Sequence, residues 1–244
     1  MTAERENPRD KELSLMEHLD EFRRRLVVSA IAVALTTAVA FAFSVPLIKI
    51  LLLPSGQTKL VSFSPTENFS TIFQVSIMAG IALAMPVLLY EVYAYIDPAL
   101  HKHERRLALT LGPFVLGLFV IGILFCYFVL LPPAIQFLIT FGGDVIENQL
   151  RAADYLSFVT TFILAVGLVF EMPAIIYTLI RIGIVQRSWL TSKRRYVFLG
   201  CFVVGSIITP TPDPFNQTLV SLPMYLLFEF GLLISRFGAP RRAA

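Results

Sequence analysis

The sequence predicts an all-α membrane protein with six transmembrane helices, and three observations carry that expectation. Of its 244 residues 56% are hydrophobic and only 15% charged, where soluble domains have about half apolar and a quarter charged. Mean hydropathy is +0.73. The apolar residues gather into runs long enough to cross a bilayer, and the basic residues fall in alternate connections between those runs. A water-soluble globule is excluded, and a net charge of +3 does not point to nucleic acid as a partner.

Residues 1–25 precede the first run as an amphipathic segment. Leu15, Leu19, Phe22 and Leu26 recur at spacings of four, three and four, an apolar stripe that would lie at the cytoplasmic interface. Asp20 with Arg24 and Glu21 with Arg25 have the spacing of intrahelical ion pairs. Residues 26–45 carry no charge and form the first span, since a helix rising 1.5 Å per residue covers the roughly 30 Å hydrocarbon core in about twenty residues. The seven acids ahead of it are unlike a signal-peptide n-region, so this span is expected to be retained.

Residues 68–90 are the second span. Residues 107–131 are the third, expected to stop at Pro132 and Pro133, with 134–141 along the surface. The fourth, 155–180, is apolar apart from Glu171. Residues 196–209 and 219–235 flank the breaker-rich stretch Pro210-Thr211-Pro212-Asp213-Pro214 and read as a helical hairpin. Residues 196–209 reach only about 21 Å as a helix, so the bilayer thins there or the arm is re-entrant.

Seventeen of the twenty Lys and Arg residues lie before the first span, between the second and third, between the fourth and fifth, or after the last. Only Lys49, Lys59 and Arg151 fall on the other side, which places both termini in the cytoplasm. No nucleotide loop, nucleophile elbow or zincin motif is present, so the chain is not expected to be an enzyme or to hold a cofactor. Cys126 and Cys201 sit in apolar runs as small hydrophobes. His101 and His103 read as titrating loop residues, so no metal site is expected.

The informative polar residues are carboxylates. Glu171 lies between Phe170 and Met172 in mid-span, where an unpaired acid costs about 2.5–3.5 kcal/mol. Pro173 should kink the helix and open a polar pocket around it. Two readings stand: a group that packs against a neighbouring helix, or one that handles substrate or protons. Glu91 and Glu229 are weaker candidates, close enough to a boundary to reach water. Glu104 precedes Arg105 and Arg106 at the start of the third helix, where a carboxylate favours the helix dipole.

Four stretches together resemble one family, TatC, the membrane receptor subunit of the twin-arginine protein translocase. They are His18-Leu-Asp-Glu-Phe-Arg-Arg-Arg-Leu26, Pro98-Ala-Leu-His-Lys-His-Glu-Arg-Arg106, Tyr155-Leu-Ser-Phe158 with Phe170-Glu-Met-Pro173, and Thr209 through Thr218. The resemblance implies six helices in a concave, glove-like arrangement in a bacterial inner membrane. It further implies homo-oligomers, small single-span partners (TatA-like and TatB-like) and export of folded cargo driven by the proton-motive force. By this resemblance Glu21 and Glu104 receive the signal peptide's two arginines, with Arg23, Leu26 and Tyr95 as neighbours. Tyr95 stands where the family has phenylalanine, so its hydroxyl needs a partner. Glu171 matches an intramembrane acid on the concave face, and Thr209 with Gln217 a polar cluster where partner helices dock. The competing reading is a secondary transporter or proton channel whose path contains Glu171 and Glu229.

Overall fold

The computed structural model describes residues 15–56, 60–96, 102–141, 150–209 and 213–238. These residues are helical throughout, apart from connections. The helices are α1 (Leu15–Ala42), α2 (Ser44–Leu52), α3 (Pro65–Ile96), α4 (Lys102–Phe125), α5 (Leu131–Thr140), α6 (Ala152–Val169), α7 (Met172–Ile182), α8 (Arg187–Ser192), α9 (Arg194–Ile208) and α10 (Pro214–Gly238). Five helical runs are long and apolar enough to cross a membrane: Met16–Ala42, Pro65–Tyr95, Gly112–Thr140, Ala152–Ile182 and Pro214–Arg236. α9, with 15 residues, spans about 22 Å, the short hairpin arm that the sequence predicted.

Several limits differ from the sequence reading. The amphipathic segment is not separate from the first span: α1 runs unbroken for 28 residues, about 42 Å. It ends at Ala42, three residues early, and α2 follows after a turn at Phe43. α3 overruns the expected 68–90 at both ends. Ser64-Pro65-Thr66-Glu67 is a capping-box sequence with proline at the first helical position. The Glu67 carboxylate accepts the Phe63 amide at 3.1 Å and the Ala153 amide at 3.3 Å, and pairs with Arg151 at 3.0 Å. That carboxylate holds the Arg151 guanidinium pKa above its ordinary value. An isolated parallel bridge between Val61 and Arg151 ties the same two connections together.

Pro132 and Pro133 do not end the third span. One π turn, Cys126–Leu130, precedes them, with the Leu131 amide donating to the Cys126 carbonyl. The prolines then occupy the first turn of α5, where a missing N–H costs little. The fourth span breaks as expected, at Phe170 and Glu171, just before Pro173. The last helix begins five residues before the expected 219: Asp213 caps it, its Oδ1 accepting the Asn216 amide at 2.7 Å, and Pro214 opens it.

α6 is the centre of the core. Val159 and Phe162 are fully buried among Val75 of α3, Cys126 and Leu130 of the π turn, and Val220 of α10. A second cluster joins Ile176 and Ile180 of α7 to Phe228 and Leu232 of α10. α1 by contrast buries little: Ile31, Leu35 and Val39 are exposed, as befits a helix whose outer face meets lipid. It docks on α3 through small residues. Gly80, with the small buried residues Ser76 and Ala84 one turn to either side on the same face, lies against Thr37, and the Thr36 hydroxyl donates to the Gly80 carbonyl at 2.8 Å.

Candidate functional site

α1 and α3 pack antiparallel, so the start of one meets the end of the other. One face of α1 presents His18, Glu21, Phe22 and Arg25, at spacings of three, one and three, and one face of α3 presents Glu91 and Tyr95. The contacts form a short ladder. Arg25 Nη1 donates to Glu91 Oε2 at 3.0 Å and Nη2 to Glu21 Oε1 at 3.1 Å. Phe22 meets Tyr95 edge-on with ring centroids 5.5 Å apart. His18 stacks on Tyr95 at 4.6 Å, its Nε2 within 2.7 Å of the hydroxyl. The extra hydroxyl of Tyr95 thus has the partner it needs.

Glu21 is therefore not an unoccupied carboxylate, because its own chain supplies a guanidinium. Of the two i,i+4 spacings only Glu21–Arg25 is an ion pair; Asp20 and Arg24 are both exposed on the solvated face, with no ion pair between them. Arg23 and Leu26 project outward, exposed, beside the ladder. Glu104 falls in the first turn of α4, and its side chain lies outside the described residues. Only residues 97–101 separate α3 from α4, so that turn starts at the same end of the bundle as Glu21. His101 also lies outside the described residues, as does the side chain of His103.

Glu91 was underrated by the sequence. It is 8% exposed and its partner is an arginine of another helix, not water. Its position one helical turn before Tyr95 was the available signal. Glu229 is likewise paired, with Arg194 at 2.8 Å and the Tyr225 hydroxyl at 3.0 Å. Two positions on, Gly231 faces α7 through Pro173, so Glu229 and the α7 contact occupy different faces of α10.

Glu171 is 4% exposed, at the break between α6 and α7. The expected polar pocket is absent: neither carboxyl oxygen has a hydrogen-bond partner among the described residues. Its backbone is fixed, the amide donating to the Leu168 carbonyl and the carbonyl accepting from Ile175. Phe170 beside it packs on Phe125 at 5.3 Å, and Pro173 lies against Gly231. A separate apolar cavity of about 430 Å³ opens between α2, α3, the π turn and α6, walled by Leu51, Val75, Ala82, Ile123, Tyr127 and Ile163. Glu171 is not among its lining residues.

Thr209 and Gln217 stand on either side of the α9–α10 connection, and each donates to a carbonyl of α9. The Thr209 hydroxyl donates to the Gly205 carbonyl at 2.8 Å, and Gln217 Nε2 to the Phe202 carbonyl at 3.0 Å. Ser221, one turn further along α10, donates to the Cys201 carbonyl at 3.1 Å. The Gln217 and Ser221 bonds join the two arms where lipid offers no competing partner, while the Thr209 bond satisfies the end of α9 itself.

Comparison with known proteins identifies the family. A family model described as Sec-independent protein translocase protein (TatC) matches residues 17–223. The Sec-independent protein translocase protein TatC of Escherichia coli is 42% identical over 231 residues, covering 91% of this chain and 88% of that protein. Its counterpart in Carboxydothermus hydrogenoformans is 34% identical over 234 residues, covering 95% and 96%. A crystal structure of a twin-arginine translocase receptor, TatC, superposes with a TM-score of 0.81 at 36% identity, covering 91% of this chain and 99% of that one. The ladder between α1 and α3, the buried acid at the α6–α7 break and the closed α9–α10 hairpin are thus features of a chain that belongs to the TatC family.

Proposed function

We propose that Glu21 and Glu104 read the paired arginines of a signal peptide, and that this recognition is how the chain serves as the receptor subunit of a twin-arginine translocase. The receptor role and the absence of enzymatic activity follow from family membership, which also sets aside the transporter reading. The observation that carries the proposal is the Arg25 guanidinium, gripped by Glu21 at 3.1 Å at an end of the bundle where α4 also begins. A carboxylate that already binds one guanidinium in this setting has the geometry to bind another. The planar fork of arginine suits it in a way the point charge of lysine does not. Arg23, Leu26 and Tyr95 border the site and would contact residues flanking the arginine pair.

In this reading the chain spans a bacterial cytoplasmic membrane six times, with α9 as the short fifth span and both termini cytoplasmic. That orientation follows from the distribution of basic residues. Homo-oligomers and single-span TatA-like and TatB-like subunits complete the translocase, which exports folded cargo at the expense of the proton-motive force. Glu171 and the Thr209–Gln217 hairpin organise the partner helices. The test is equilibrium binding of a signal peptide to the purified protein, with its arginine pair intact or changed to lysines. Wild-type protein should prefer the arginine form, and Glu21→Gln with Glu104→Gln should abolish the preference. An unchanged preference in the double variant would discard the assignment.

A further inference from the structure

The Arg25 guanidinium stands between two carboxylates from two helices, and the two are not equivalent. Glu91, on α3, is the buried one, its side chain 10% exposed; Glu21, on α1, is more open at 22%. Arg25 spends one terminal nitrogen on each, and Nη2 also approaches the Ala94 carbonyl at 3.5 Å. Glu21 and Glu91 carry two negative charges against the single positive charge of Arg25. The ladder above them is closed by the uncharged Tyr95 and by His18, while Arg23, Arg24 and Asp20 point outward from α1. Among the described residues the cluster therefore carries one more negative than positive charge, and the carboxylate open to a further cation is Glu21.

We infer that Arg25 is a resident arginine occupying Glu21 until an incoming guanidinium displaces it, and that Glu91 is the further recognition residue that keeps Arg25 paired once it lets go. The inference rests on the reading of Glu21 as a signal receptor and extends it. Without Glu91, displacement would strand the Arg25 charge in a partly buried position, an expensive outcome. With Glu91 in place, the exchange ends with two carboxylates facing two guanidinium groups and no charge left over. An incoming lysine fits the vacated carboxylate less well, because its ammonium is a point charge without the planar fork of N–H donors that a guanidinium offers. Glu91 thereby contributes to specificity without touching the peptide.

The test is a sign reversal in peptide affinity, measured with the full chain in lipid nanodiscs and a signal peptide carrying Arg-Arg or Lys-Lys. Glu91→Gln leaves Arg25 with Glu21 alone and should weaken Arg-Arg binding by about tenfold, the worth of one charge-assisted hydrogen bond. Adding Arg25→Gln to Glu91→Gln removes the competitor together with its holder and leaves no buried unpaired charge. That double variant should bind at or above wild-type affinity. Wild-type affinity in Glu91→Gln, or a double variant as weak as Glu91→Gln, overturns the inference while the wild-type preference for Arg-Arg stands. A wild-type chain indifferent to Arg-Arg over Lys-Lys would overturn the receptor reading itself, and this inference with it.

Discussion

Replacing Gly80 by alanine tests whether the small-residue seam between α1 and α3 sets the geometry of the recognition end. A Cβ built on Gly80 collides with the Thr37 hydroxyl and lies 2.7 Å from both the Thr37 Cα and its backbone nitrogen. The obstacle includes backbone, so a rotamer change cannot relieve it, and α1 itself must withdraw. Restoring an ordinary contact of about 3.5–4.0 Å requires roughly 1 Å of movement. If α1 moves as a rigid rod, the Arg25–Glu91 bond at 3.0 Å stretches past the hydrogen-bonding limit near 3.2 Å. The bond from Thr36 to the Gly80 carbonyl weakens with it. Overpacking of this kind costs about 1–3 kcal/mol, against roughly 0.5–1 kcal/mol recovered because alanine is the better helix former. The expected net is a loss of about 1–2 kcal/mol. Gly117→Ala is the internal control, since nothing lies within 4 Å of its added Cβ, and it should be neutral or slightly stabilising. Thermal unfolding in one detergent compares the two. A cysteine pair at Phe22 and Tyr95, whose rings meet at 5.5 Å, reports separation as a fall in cross-linking by a short bifunctional thiol reagent. If Gly80→Ala matches Gly117→Ala in both stability and cross-linking, α1 and α3 do not meet through Gly80 and the argument fails.

Two further substitutions separate stability from function. Glu171→Leu replaces a buried carboxyl that has no partner among the described residues, so thermal stability should rise by about 1–3 kcal/mol while export of a twin-arginine reporter falls. Normal export from that variant would reduce Glu171 to a packing residue. Asp213→Ala removes the cap whose Oδ1 and Oδ2 hold the Asn216 amide and side chain at 2.7 and 3.0 Å. The cost should be about 1 kcal/mol, with faster amide exchange in the first turn of α10; unchanged exchange there would show that the cap is not what starts the helix.

Hydropathy reads what lies in hydrocarbon, which is why the apolar runs, the Glu171 break before Pro173 and the alternation of basic connections were legible without a structure. It is silent on what a helix does outside the bilayer. α3 extends past Tyr90 because its last turns are held by α1, and that contact is decided by residues sixty-six positions apart, Arg25 and Glu91. The Pro132-Pro133 pair misled for a related reason: a proline ends a helix only where its missing N–H had a carbonyl to serve, and the π turn before it had already shifted the bonding pattern. A charged residue in an apolar run is conspicuous, so Glu171 was identifiable from the sequence itself, whereas Thr209, Gln217 and the role of Glu21 came only from the family resemblance. The partners of these residues were not legible, because an i,i+4 spacing predicts Glu21–Arg25 and Asp20–Arg24 equally well. Only the approach of α3 distinguishes them: it brings Glu91 to the face bearing Arg25 and leaves Arg24 outside. The second carboxylate turns an ordinary intrahelical pair into a junction between two helices, so any force that opens Glu21 also acts on the packing of α1 against α3.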